Sequence, residues 1–395
     1  MSIPKIPFKT YNLSVSSSTI TFPFLSFFLL KPMGPAVLSS HTNGFSQSVD
    51  RNFEEKTNYI NDDNSSHESV INNVNGDDCH WYEEIIDENL KWSFALNRVL
   101  QQGTSEFQDI ALLDTKRFGK ALMIDGKMQS AEADEFVYHE CLIHPPLLCH
   151  SNPKSVFIMG GGEGSAAREV LKHKSIEKVV MCDIDQDVVD FCRKHLTVNR
   201  EAFCHKKLHL VINDARVELE KRKEKYDVII GDLADPVKDG PCYKLYTKSF
   251  YHDILKPKLH HNGIFVTQAG PAGIFTHKEV FTSIYNTIKQ TFNYVIAYTA
   301  YIPSFADTWG WVMASDHPFC IKSEELDKRI EDRINGELLY LTGPSIVSST
   351  IINKIVSLAL LNETHIYTEA TAKFIHGQGV VGCKQLNGGS CGRGV

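Results

Sequence analysis

The sequence predicts an α/β protein: a doubly wound, mostly parallel sheet preceded by a small antiparallel β domain. Three observations carry this. From Pro153 onward, five short apolar runs alternate with helical stretches, the pattern of a parallel sheet covered on both faces. The first run opens into a glycine loop, and the next three end in aspartates. Before Pro153, runs of period two are separated by hairpin signals, as in an antiparallel sheet.

Taken in order, residues 1–76 are rich in Ser, Asn and Thr, with Asp50 as the first acid, and are expected to be a disordered extension. Within them T-F-P-F-L-S-F-F-L-L, flanked by lysines, has the character of a signal core or an acid-poor transit segment. It is too short to span a membrane, contains no arginine and lacks a clean cleavage pattern, while Met33 offers an alternative start. The expected location is the cytoplasm, with plastid targeting by this extension as the alternative.

Residues 77–150 are expected to form the β domain and a linking helix. D-I-A-L-L-D and A-L-M-I-D-G-K-M-Q-S alternate, and Phe118-Gly119 and Asp125-Gly126 punctuate them as hairpins. D-E-F-V-Y-H-E-C-L-I-H then predicts a helix that carries Tyr138 and His139 near its start and stops before Pro145.

In the region 151–368 the predicted parallel strands are 155–159, 178–182, 208–212, 226–230 and 263–267. A helix at about 276–291 and two late strands forming an antiparallel edge complete the sheet, and 369–395 is a tail. Ligands of such sheets bind outside the carboxyl ends of the strands.

Bulk composition restricts the partners. A formal net charge of −7 disfavours nucleic acid and anionic membrane surfaces, and suits a cationic small molecule. The ten cysteines form no C-x-x-C pair and no ligand-like spacing with histidine, so no metal site is expected; Cys141, Cys182 and Cys192 read as small core residues.

The strand ends carry the chemistry. Gly160, Gly162 and Gly164 permit positive φ and close ligand approach, a pattern that also serves a plain strand-to-helix turn. Asp183, about twenty residues on, can accept from ribose hydroxyls, whereas Asp185 reads as a helix cap. Asp214 closes the third strand, where an exocyclic amine can be recognised. Acids at two successive strand ends fit adenosyl-sulfonium chemistry on a Rossmann-like, methyltransferase-type sheet, and no G-x-x-x-x-G-K-S/T loop is present. The fourth strand ends in D-L-A-D-P: an amine that must lose a proton before attacking carbon needs a carboxylate such as Asp232, and Asp235 can hold a second ammonium. A helix cap followed by an ordinary turn is the plainer alternative.

The motifs D-E-F-V-Y-H-E, G-G-G-E-G-S, C-D-I-D, N-D-A, G-D-L-A-D-P and Q-A-G together resemble the spermidine and spermine synthases, over about residues 80–315. The resemblance implies aminopropyl transfer from decarboxylated S-adenosylmethionine as cosubstrate to a polyamine, with no metal and no permanently bound cofactor, by a homodimer or homotetramer. It implies Asp232 as the base and Asp235 as a polyamine ligand. Gln108, Gln129, Gly160, Gly162, Glu163, Asp183, Asp214 and Ala215 would hold the cosubstrate, with Glu163 on its primary amine. Tyr138, His139, Gln268, Phe305 and Trp309 would line the polyamine channel.

Departures from the family pattern are Glu163, Ser165, His139, Leu233-Ala234, Lys238-Asp239 before Gly240, and I-P-S-F-A-D-T-W-G-W. These resemble the thermospermine-forming plant branch, and imply spermidine as acceptor with 5'-methylthioadenosine as the second product. Spermidine or spermine formation is the nearest alternative, followed by small-molecule N-methylation and a silent scaffold.

Overall fold

The computed structural model describes residues 80–375, apart from 88, 238, 239 and 241, together with a two-residue strand at Asn72–Asn73. The expectations for the N-terminal extension, for Lys238-Asp239 and for most of the tail lie outside the described residues.

The first sheet is an antiparallel meander in chain order: β1 (Asn72–Asn73), β2 (His80–Asp87), β3 (Leu90–Thr104), β4 (Asp109–Thr115), β5 (Gly119–Ile124) and β6 (Lys127–Ala131). The β5–β6 turn is the expected Asp-Gly pair, with φ of 49° at Asp125 and 74° at Gly126, as a tight hairpin of this hand requires. No glycine or proline separates β2 from β3, and this longest hairpin is not individually legible in the sequence. Register slips once in β5–β6, where Leu122 faces Ser130 but Met123 faces Met128. The bulge leaves Gln129 unpaired; such an irregularity re-aims side chains near a site.

The second sheet has seven strands: β7 (Ser155–Gly160), β8 (Lys178–Asp183), β9 (Leu208–Ile212), β10 (Tyr226–Asp232), β11 (Leu259–Pro271), β12 (Tyr294–Ile302) and β13 (Asp307–Ser315). Their order is β12-β13-β11-β10-β7-β8-β9, so the chain winds outward both ways from β7. The last strand in the chain, β13, inserts between β11 and β12, antiparallel to both, which makes the expected antiparallel edge. Parallel strands here are apolar on both faces because both are covered. In β7, Val156 and Ile158 enter one core while Phe157 and Met159 enter the other.

Helix α1 (Glu135–Cys149) lies in the core that contains Val156 and Ile158, with residues 137–148 all buried. It does not stop before Pro145, contrary to the sequence expectation; Pro145 and Pro146 sit inside it. Proline at 145 removes the N–H that would bond the carbonyl of Cys141, and a buried orphan carbonyl is costly. Tyr298 of β12 donates its hydroxyl to Cys141 O at 3.0 Å, so the sheet supplies what the helix lost.

The helix expected at 276–291 is also shorter, Phe281–Lys289. Thr276 donates to Asp307 Oδ2 at 2.5 Å and His277 Nδ1 meets Gly273 O at 2.8 Å, which hold 273–277 as a turn before the helix starts. Ile110 and Leu122 of the first sheet share a small apolar cluster with Val188 and Cys192 of the helix Gln186–His195. All seven described cysteines are free, and Cys141, Cys182 and Cys192 are buried, as their core reading requires. Among the described residues no single helix is long and apolar enough to cross a membrane.

Candidate active site

Every carboxylate singled out at a strand end of the second sheet faces one of two adjoining cavities. The larger, about 230 Å³, is bordered by Gly160, Gly162, Glu163, Asp183, Asp214, Ala215 and Asp232, and by Gln108 and Gln129 from the first sheet. The smaller, about 100 Å³, is bordered by Tyr138, Asp235, Gln268, Phe305 and Trp309, and again by Gln129. His139 lines the larger cavity and is absent from the channel wall where the polyamine reading would put it.

The glycine loop works by two different means. Gly160, Gly161 and Gly164 have φ of 76°, 78° and 92°. Gly162 does not share this, although the sequence reading grouped it with Gly160 and Gly164; a Cβ there would lie 2.7 Å from Asp183 Oδ2, so closeness and not conformation demands glycine. Gly162 N donates to that same oxygen at 2.8 Å. Burial lifts Asp183 to about 6 against the N–H donors of Asp185 and Gly162. Asp185 instead caps α2 (Gln186–His195) and accepts from Ser105 and Gln108 Nε2, at 2.5 and 2.9 Å, which ties the first sheet to the second. Asp214 caps α3 (Ala215–Lys221), taking Arg216 N–H at 2.7 Å while still facing the cavity.

Glu163 is set among polar partners that sequence reading did not connect. Its Oε1 accepts from Ser130 at 3.0 Å and from Ser165 at 2.6 Å. Asn199 Nδ2 bonds Glu163 O and Ser165 Oγ, at 3.0 and 2.8 Å, and Arg168 holds Asn199 Oδ1 at 2.7 Å. Arg168 also grips both oxygens of Glu135, at 2.7 and 2.9 Å. Burial pushes the Glu163 carboxyl above its usual range, and the charge of His139 is the foremost influence opposing it.

His139 joins Arg168 as a cation of this cluster. Burial disfavours its charged form, but a 2.7 Å bond from Nδ1 to Glu135 and the fields of Glu163, Glu135 and Asp232 lift it to about 9. Ligand atoms of Glu135, His139 and Glu163 lie within 4.8 Å of one another, a grouping that a metal could also use. The bidentate Arg168 and the His139 bond already answer the Glu135 charge, holding it down to about 2 against its burial.

Asp232 ends β10 on the wall of the larger cavity, next to Leu233. Its Oδ1 accepts from Tyr138 at 3.0 Å. Burial raises its carboxyl, opposed by His139 and by the Tyr138 bond. Three residues on, Asp235 is buried and lifted to about 7 by that burial, with the Gln268 bond opposing. Gln268 organises this end: Nε2 reaches Leu233 O, Asp235 Oδ1 and Tyr246 Oη at 2.8, 3.1 and 2.9 Å, and Oε1 accepts from Gly270 N and Trp309 Nε1 at 2.7 and 3.2 Å. Phe305 meets Trp309 edge-on at 4.9 Å and Tyr138 at 6.1 Å, forming an aromatic wall. Leu233 borders both cavities.

The sequence reading missed Glu84, Lys127, Glu279 and Asp307, which also border the smaller cavity. It also missed Ile375, at the start of the expected tail, which borders the same cavity and bonds Pro236 O through its N–H at 3.2 Å. Only Ser130, beside Gln129 in the motif M-Q-S, offered a local signal. The others come from elements whose distance in sequence hides their meeting.

A large cavity with a ribose-type acid, joined at a carboxylate to an acidic and aromatic channel, can bring a nucleoside and a linear polycation together. A model described as Spermine/spermidine synthase domain matches residues 135–324, and one described as Spermidine synthase tetramerisation domain matches 80–132. Thermospermine synthase ACAULIS5 of Arabidopsis thaliana is 76% identical over 306 residues, 78% of this chain and 90% of that protein. A polyamine aminopropyltransferase of Sulfurisphaera tokodaii is 41% identical over 292 residues, covering 73% of this chain and 96% of its own. A solved spermidine synthase in complex with the transition state analogue AdoDATO superposes with a TM-score of 0.66 at 30% identity, over 72% of this chain and 95% of that one. Spermidine synthase of Thermotoga maritima gives 0.64 at 29%, with the same coverage.

Proposed function

The chain belongs to the spermine/spermidine synthase family, and from that premise we propose that it moves the aminopropyl group of decarboxylated S-adenosylmethionine to the aminopropyl end of spermidine, giving thermospermine and 5'-methylthioadenosine. It is a polyamine aminopropyltransferase; the acceptor, the regiochemistry and the residue roles are our reading. The observation that carries it is Asp232 on the wall of the larger cavity, bonded to Tyr138, which with Asp235 borders both cavities.

The acceptor's terminal ammonium passes a proton to Asp232, and the neutral amine attacks the methylene carbon beside the sulfonium. The C–N bond forms as the C–S bond breaks, sulfur keeps the electron pair, and methylthioadenosine leaves. Tyr138 fixes the Asp232 carboxylate so that Oδ2 is left for the amine. Asp235, steered by Gln268, takes the next ammonium, and Phe305 and Trp309 offer ring faces to it, worth about 0.5–2 kcal/mol.

Asp183 would take the ribose, Asp214 and the Ala215 backbone the base, and Gln108 and Gln129 the nucleoside from the first sheet. Glu163 would hold the primary amine of the aminopropyl group. A donor that kept its carboxylate would set a second negative charge against Glu163, which selects the decarboxylated form. His139 belongs in this account beside Glu163, as the positive charge that opposes the rise burial imposes on the Glu163 and Asp232 carboxyls.

The test supplies purified protein with decarboxylated S-adenosylmethionine and putrescine, spermidine or spermine in turn, and separates spermine from thermospermine chromatographically. Consumption of spermidine with thermospermine as the main product is expected. A preference for putrescine, or spermine as the main product, overturns the acceptor reading.

A further inference from the structure

Lys127 stands two residues before Gln129 on β6 and borders the same channel. Among the described lining residues of that channel it is the one lysine or arginine, set against Glu84, Asp235, Glu279 and Asp307. Its side chain is 9% exposed, and its ammonium lies 3.6 Å from Glu84 Oε1 and donates to Ile85 O. The second oxygen of Glu84 accepts Met128 N–H at 3.1 Å. The ammonium therefore cannot swing out without stranding a buried acid. Asp235 feels it from across the cavity, with Lys127 favouring the carboxylate and Glu279 and Glu84 disfavouring it.

An acidic channel binds a polyamine by matching one ammonium to each acid. With the reacting amine at Asp232 and the next at Asp235, Glu279 and Asp307 on the second-sheet side answer the outermost ammonium of a triamine. A tetraamine presented as acceptor must carry a further ammonium toward the first-sheet side. There Glu84 is already neutralised by a cation that belongs to the protein. Resting on the proposed aminopropyl transfer, we propose that Lys127, held by Glu84, is a length gauge: its ammonium fills the place of a fourth polyamine charge, which admits a triamine and turns away tetraamines, including the enzyme's own product. The gauge limits transfer to a single round, because a product slid outward to serve as the next acceptor would set ammonium against ammonium.

The experiment compares kcat/KM for a tetraamine (spermine and thermospermine, separately) with that for spermidine, and scores pentaamine formation by mass spectrometry. Lys127→Met exposes Glu84 as a free acid, and the tetraamine-to-spermidine ratio is expected to rise about tenfold or more, with pentaamine appearing. Lys127→Gln, which keeps a donor for Ile85 O without the charge, guards against a folding defect and is expected to behave likewise. Lys127→Arg should retain the wild-type ratio, and in Lys127→Met with Glu84→Gln the gain should collapse. A ratio within twofold of wild type in both folded neutral variants overturns the gauge, as does a wild-type protein that elongates tetraamines as fast as spermidine. A protein that transfers to no triamine overturns the proposed acceptor itself, and with it the gauge.

Discussion

Tyr138 donates its phenolic hydrogen to Asp232 Oδ1 at 3.0 Å, and its ring is backed by the fully buried Trp311 at a centroid distance of 5.7 Å. The base is thus aimed by a side chain that has little freedom of its own. Asp232→Asn should lower turnover by on the order of a hundredfold or more while donor binding persists, because an amide cannot take the amine proton. Tyr138→Phe should cost about tenfold in kcat. It should also move the acidic limb of the pH profile upward: the hydroxyl lowers the Asp232 carboxyl, its loss raises it, and only the carboxylate accepts a proton. An unshifted limb would show that Tyr138 serves packing alone.

Glu163→Gln should weaken binding of decarboxylated S-adenosylmethionine and narrow its advantage over the ordinary form by about tenfold. Calorimetry with both ligands reads the ratio, and equal loss for the two would remove Glu163 from donor selection.

Asp235 is raised to about 7 in the folded protein, whereas an aspartate in the unfolded chain titrates near ~3.9. Between these values the folded state holds the extra proton, so this group's stabilising contribution is full below the lower value and is lost as pH rises through about 7. The melting temperature of the free enzyme should therefore fall from pH 5 to pH 8, and Asp235→Asn should flatten the fall and melt higher than wild type at pH 8. Equal destabilisation of the variant at both values would contradict the assignment.

Tyr298→Phe removes the donor that answers Cys141 O above Pro145. The expected cost is about 1–3 kcal/mol in unfolding free energy, the penalty of an unpaired buried carbonyl. Substrate KM values should stay near wild type, and a loss of activity without loss of stability would mean that α1 shifts rather than merely loosens.

Residues 80–132 match a tetramerisation domain of this family, and their sheet has a core of only a few residues, chiefly Phe94, Leu96, Leu113 and Met123. We predict a homotetramer, and light scattering that returns a stable monomer at micromolar concentration would refute it.

What the sequence disclosed follows from distance along the chain. Asp183, Asp214 and Asp232 could be read because each closes its own apolar run, and the strand and its acid are one local signal. Asp185 could be assigned as a cap for the same reason. Pro145 misled because the group that rescues its helix, Tyr298, is 157 residues from the Cys141 carbonyl that it answers. Glu84 and Lys127 carry opposite charges on β2 and β6, and alone each looks like a solvated strand residue; only the closing of the meander makes them a buried pair. His139 lines the larger cavity, which its sequence could not say, because helical spacing tells which face a residue shares, not which of two cavities that face overlooks.

Gln129, left unpaired by the bulge in β6, borders both cavities. Tyr138, Leu233 and Asp235 border both as well. On the proposed reading a donor and an acceptor press on this one partition from opposite sides, so a substitution at Gln129 is expected to disturb the KM of both substrates and not of one alone.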